Sequence, residues 1–177
     1  MSDVLNRYRE VADGFSARVE AASHQKWEAT APCEGWTARD VVAHVVNGQR
    51  RLVLGQDEVP QAADLSSAWQ ETRQQVEKLA SDPAKMAETV QTPMGPMPRQ
   101  QLIANLVTMD LLVHTWDLAR AVGADESLHP QAVADASEAL KPMDAMIRMP
   151  GVFGPKVEPP AGADLQTELL CFLGRRV

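Results

Sequence analysis

Apolar residues return along this chain at the spacing of helices rather than strands. Between residues 3 and 23, Val4, Leu5, Tyr8, Val11, Phe15 and Val19 stand one, three or four positions apart, the stripe of an amphipathic helix. Pro32 and Gly35 break the period between His24 and Trp36, which predicts a loop. Thr37 followed by Asp40 is a weaker relative of the capping box, and Val41, Val42, Val45, Val46, Leu52 and Val53 carry an apolar pattern from there to Gly55. A Val-rich run of that length with a cap at its head predicts a second helix.

A polar connection containing Pro60 leads to a third helix from about Ser66 to Ala80, with Trp69, Val76 and Leu79 as a narrow seam in a solvated surface. Pro83, Pro93, Gly95, Pro96 and Pro98 exclude a continuous helix between Asp82 and Pro98 and predict a long ordered loop or a short hairpin. The longest helical pattern runs from Arg99 to Ala121, with Gly123 as its C-terminal cap. A fifth helix is expected over roughly Pro130 to Ile147, where Pro142 can kink it. A sixth is expected over 164–173, docked through Leu165, Leu169, Leu170 and Phe172. No internal repeat, low-complexity run or linker divides the 177 residues, so one helical domain over 1–177 is expected.

Chemistry concentrates in NLVTMDLLVHTWDLARAVG, residues 105–123, a segment apolar most of the way round and therefore expected to be central and buried. Asp110, His114, Asp117 and Ala121 share one face, with about 40° of turn between Asp110 and His114. Two ligand-type side chains one turn apart can grip one ion. A buried carboxylate is costly alone, and a cation removes that cost. On the second helix, His44 shares a stripe with Val41, Val45, Gly48 and Leu52 and is expected to point inward. If the two helices are neighbours, His44, Asp110 and His114 form a ligand set with at least one coordination position open. The same residues also admit a metal-free reading, with His44 hydrogen-bonded in the core and Asp110 paired to His114 within its helix.

Asp117 pairs most simply with Arg120, or else orients a ligand imidazole from behind. Cys33 lies beside Glu34, a setting that disfavours thiolate, and is not read as a nucleophile. His24 and His129 are expected at solvated loop or helix-entry positions. Trp27, Trp36, Trp69 and Trp116 are expected to be packing residues.

Charge and composition narrow the choice of partner. With 24 acidic against 17 basic side chains the net charge is −7, and no window gathers Lys and Arg into the stripe that nucleic acid requires. Apolar runs fall far short of the ~20 residues that cross a bilayer. MSDVLNRYRE lacks the apolar core of a signal peptide, so a cytoplasmic location is expected. Only Cys33 and Cys171 are present, too few for a disulfide framework or a cysteine metal cluster. Any metal must then be held by histidine and carboxylate.

GWTARDVVAHV around His44 and DLLVHTWDLARAVG around His114, with TPMGPMP between them and LLCFLGRRV at the close, resemble the DinB/YfiT-like superfamily. Within it they resemble the group related to the mycothiol-dependent maleylpyruvate isomerase N-terminal domain, and a bacterial subgroup described as metal-binding proteins. The likeness covers nearly the whole chain. It implies an all-α fold, a four-helix bundle with a long crossover between the second and third core helices, extended here by C-terminal helices. It implies a divalent metal held by His44, Asp110 and His114. Zinc leads, with nickel, iron or manganese as alternatives. The superfamily often has glutamate or histidine where this chain has Asp110, and aspartate is one methylene shorter than glutamate. The isomerase has a further C-terminal domain, so its particular reaction does not transfer to this shorter chain. The resemblance implies a metal-assisted reaction between a low-molecular-weight thiol such as mycothiol and a small electrophile, catalysed by a thiol transferase or thiol-dependent isomerase. The alternative on the same fold is a non-catalytic metal-binding or stress-related interaction protein, with a homodimer formed through a helical face.

Overall fold

Helix starts in this chain follow from side chains that can satisfy the first free backbone N–H groups. Thr37 is the clearest case: its side chain accepts from the Asp40 N–H while the Asp40 carboxylate accepts from the Thr37 N–H, a complete capping box. Asp64, Asp82 and Asp164 cap three other helices in the same manner. The computed structural model describes residues 3–22, 26–60, 63–92, 94–148 and 153–177. His24 and Pro93 lie outside the described residues. The chain divides into two compact units, Met1–Ser127 and Leu128–Val177.

In the first unit, α1 (Asp3–Ala21) buries Leu5, Tyr8, Val11, Phe15 and Val19. Helix α2 (Ala38–Gln49) continues through a wide π turn, Arg50–Leu54, and stops at Gly55. Gly55 has φ 63°, a left-handed conformation in which a Cβ would be strained. Helix α3 (Leu65–Ala80) buries Ala68, Trp69, Thr72 and Val76, while Leu79 of the expected seam stays half-buried. Trp69 meets Phe15 edge-on at 4.8 Å.

The proline-rich connection holds a short helix, α4 (Pro83–Ala87), and the hairpin that was one of its two expected forms, β1 (Thr89–Thr92) paired antiparallel with β2 (Gly95–Pro98). Helix α5 (Arg99–Leu102) then passes through a second π turn, Ile103–Val107, into α6 (Thr108–Val122), closed by Gly123 at φ 64°.

Helix α6 packs against α1 and α2, and α3 packs against the same two. The four therefore form a bundle in which α3 and α6 are diagonal. The long crossover joins these two, the third and fourth core helices, and not the second and third as the resemblance implied. The reason is geometric: α2 and α3 are neighbours and need only a short link, whereas a diagonal step needs a long one. No helix among the described residues is long and apolar enough to cross a membrane.

In the second unit, α7 (Pro130–Leu140) is capped by His129, whose ring nitrogen accepts from the Ala132 N–H at 3.3 Å. A 3₁₀ turn at Lys141–Met143 breaks the expected fifth helix at Pro142, before α8 (Asp144–Ile147). Helix α9 (Leu165–Phe172) packs with α7 and buries Leu169, Leu170 and Cys171. Leu165 does not dock as expected. It is 42% exposed, at the helix's first position and a full turn ahead of the buried residues.

Candidate functional site

The face of α6 predicted from its four-three spacing is present. A π turn at 103–107 immediately precedes it, and the Thr108 hydroxyl donates to the Ile103 carbonyl at 2.8 Å across that widened turn. Such turns re-aim the residues that follow them and recur at functional sites. Asp110 Oδ1 then lies 3.4 Å from His114 Nε2, one turn along. His44 Nε2, from α2, lies 3.4 Å from the same oxygen. The three donor atoms all fall within 4.8 Å of one another, so the three residues expected to converge do so.

Their environment differs from expectation at His44. Its side chain is 43% exposed, as is that of Asp110, so the imidazole sits at an open mouth and not in the core. At 100° per residue His44 stands about 60° from Val41. That puts it at the edge of the buried face, beyond Val41 and on the side away from Val42 and Val46. His114 is buried and forms the inner wall of the site.

Behind His114 lies Asp117, fully buried, with Oδ2 3.0 Å from His114 Nδ1. A proton on Nδ1 donated to Asp117 leaves the Nε2 lone pair facing Asp110 and His44. Asp117 is thus placed against His114 and not paired to Arg120. Arg120 instead reaches Glu126 at 3.3 Å and lies over the Trp116 ring.

Two further residues reach the site from the loop before α2, and sequence reasoning missed both. The half-buried Cys33 places Sγ 3.3 Å from the same Asp117 Oδ2. Trp36 lies parallel to the His114 ring, 16° apart with centroids at 5.8 Å, and tilted over His44 at 5.0 Å. Trp27, Trp69 and Trp116 are buried packing residues, as expected. The only signal for the other two was their position just ahead of the Thr37 cap.

Burial opposes charge on both members of the Asp110–His114 pair, and attraction outweighs it. His114, then His44, hold the Asp110 carboxyl well below the usual carboxylate range. Asp110, followed by Asp117 and Cys33, holds His114 well above an ordinary imidazole. Solvent at the open side of Asp110 screens part of this attraction. The cluster as a whole favours a positive charge beside Asp110.

The donor set fits a divalent metal. Two ligands about 2.1 Å from a shared zinc at the tetrahedral angle stand about 3.4 Å apart. That is the separation of Asp110 Oδ1 from each imidazole nitrogen, and it is longer than a well-formed hydrogen bond. Aspartate is thus long enough at this position. Cys33, His114 and Asp117 form a second group of metal-ligating types with donor atoms equally close.

Comparison with known proteins agrees with the fold. The all-α bundle is that of the DinB/YfiT-like superfamily. A family model described as "Mycothiol maleylpyruvate isomerase N-terminal domain" matches residues 8–55, the stretch containing Cys33, Trp36 and His44. Two uncharacterized proteins of Mycobacterium tuberculosis, from strains CDC 1551 / Oshkosh and ATCC 25618 / H37Rv, are each 31% identical over 186 residues, covering 99% of this chain and 99% of their own. No solved structure matches the chain with significance. The chain belongs to the mycothiol maleylpyruvate isomerase N-terminal domain family of the DinB/YfiT-like superfamily.

Proposed function

We propose that this protein is a cytoplasmic, divalent-metal-dependent enzyme that joins a low-molecular-weight thiol to a small electrophile, a thiol S-transferase or thiol-dependent isomerase. His44, Asp110 and His114 would hold the metal, with zinc the best fit to two imidazoles and a carboxylate. The observation that carries the reading is the pair of 3.4 Å separations that Asp110 Oδ1 makes to imidazole nitrogens from two different helices. The family's name supports mycothiol as the thiol.

A metal at this position would lower the pKa of a bound thiol, making thiolate available near neutral pH. The chain's own residues supply the rest. Asp117 keeps the His114 Nδ1 proton, so that Nε2 faces the mouth. The exposure of His44 and Asp110 leaves a way in for a solute. Trp36 covers both imidazoles on one side and narrows that approach. No residue beyond the ligand set is assigned as a general base.

Elemental analysis of purified protein tests the metal, and a panel of mycothiol, bacillithiol and glutathione with monochlorobimane tests the chemistry. Bound metal and metal-dependent conjugation with one of these thiols are expected. No conjugation with any of the three thiols by the metal-loaded protein would overturn the catalytic reading.

A further inference from the structure

We infer that Cys33 and Trp36 are positioning residues for the metal site, a tight turn whose two ends clamp His114 from behind and from the side. The inference rests on the metal-binding reading above. The turn is closed by the Trp36 N–H donating to the Cys33 carbonyl at 3.0 Å, with Gly35 at φ 77° in the third position, where a left-handed residue is required. Its flanks are fastened: the Ala31 N–H donates to the Trp36 carbonyl at 2.9 Å, Thr30 pairs with Thr37, and the Ala38 N–H donates to the Ala29 carbonyl at 2.8 Å. Through Thr37 the turn is continuous with the cap of α2, the helix that carries His44.

Both ends of the turn meet the same imidazole. Trp36 stacks on the His114 ring and restricts its rotation. Cys33 acts through Asp117. Its S–H donates to Oδ2, the atom that also accepts from His114 Nδ1, so one buried oxygen receives two donors. The second donor pins that oxygen in place, and its position sets the orientation of the His114 ring. Cys33 could in principle serve as a ligand with His114 and Asp117. The fully buried Asp117 argues for the relay instead, because the open side of His114 is its Nε2 side, toward Asp110 and His44.

The test is Zn²⁺ affinity, measured by competition with a chromogenic chelator, for the wild type and for Cys33→Ala, Cys33→Ser, Asp117→Asn, Cys33→Ala with Asp117→Asn, Trp36→Ala, Trp36→Phe and His44→Ala. Cys33→Ala is expected to raise the Kd about tenfold, within the range for partners that support a metal ligand. Cys33→Ser, which keeps a donor, should recover most of that loss. In the Asp117→Asn background the cysteine substitution should cost nothing further. Trp36→Phe should bind as the wild type does, and Trp36→Ala several-fold more weakly. The Co²⁺-loaded wild type should lack a thiolate-to-cobalt charge-transfer band.

Wild-type affinity in Cys33→Ala, an undiminished penalty in the double variant, or a charge-transfer band that makes Cys33 a ligand would each overturn the relay. Wild-type affinity in Trp36→Ala would overturn the clamp. His44→Ala separates the two levels. If it binds Zn²⁺ no differently from the wild type, the metal site itself fails and the inference falls with it. If it binds weakly while Cys33→Ala binds normally, only the inference fails.

Discussion

Two clusters of charged side chains line this bundle, and they are built on opposite plans. Between α1 and α3, Arg73 donates to Asp13 at 2.5 Å, to Glu77 at 2.8 Å and to Ser16 Oγ at 3.0 Å, and Arg9 donates to Glu77 at 2.7 Å. Each carboxylate there has a guanidinium, a counter-ion that is always charged. Between α2 and α6, Asp110 meets two imidazoles and, among the described residues, no guanidinium or ammonium. An imidazole balances a carboxylate only when it carries a proton. The first cluster is electrically complete as the chain folds. The second is complete only with a proton or, on the reading proposed above, a metal, so a carboxylate fastens a seam in one place and faces an open mouth in the other.

That contrast breaks most visibly at His114. His114→Ala should weaken Zn²⁺ binding by more than about 100-fold, beyond the 10–100-fold cost of losing a supporting partner. Isothermal titration of the purified variant measures it. Zinc affinity equal to that of the wild type would leave the α2–α6 cluster with no more claim to a metal than the α1–α3 cluster.

The converse substitution is Arg73→Ala. Its side chain is 21% exposed and serves two carboxylates. Removing it strands Glu77, itself 21% exposed, with Arg9 alone. A loss of about 2–3 kcal/mol in urea unfolding is expected, with Zn²⁺ affinity unchanged. If stability holds while metal binding falls, the two clusters are coupled and the division of roles is wrong.

The division was only partly visible in the linear chain. Helices could be read where a period and a cap coincide, as at Thr37 with Asp40 and at Gly123. The shared face of Asp110, His114 and Asp117 followed from spacing, because a helix converts sequence interval into direction. Where no period exists, direction cannot be read. Cys33 and Trp36 lie in a loop, and Cys33 meets a partner 84 positions away. Helix α4 is too short to show a period at all. His44 was misjudged for a different reason: its stripe was drawn through Val41, Val45, Gly48 and Leu52, of which Val41 and Val45 are buried but Gly48 and Leu52 only half-buried, and the buried face is centred further round, through Val42, Val46 and Gln49. The crossover was displaced because a family's connectivity was transferred without knowledge of which helices touch.

The smallest expected effect, and the sharpest test that the α1–α3 cluster is a permanent ion network, is its response to acid. Burial raises the Glu77 pKa, but Arg73 and Arg9 outweigh it and hold the carboxyl below its ordinary value of 4.5. A folded value below the unfolded one contributes stability that is complete above about 4.5 and is lost as pH falls through the folded value. Glu77→Gln removes the titrating group while keeping the shape. The stability gap between wild type and Glu77→Gln, measured by urea unfolding, should therefore be constant from pH 7 to about 5 and close as the solution is acidified further, by less than the loss at Arg73. A gap that persists unchanged down to pH 3 would mean that Glu77 contributes by shape and neutral hydrogen bonding. The seam would then owe nothing to the charge that separates it from the site across the bundle.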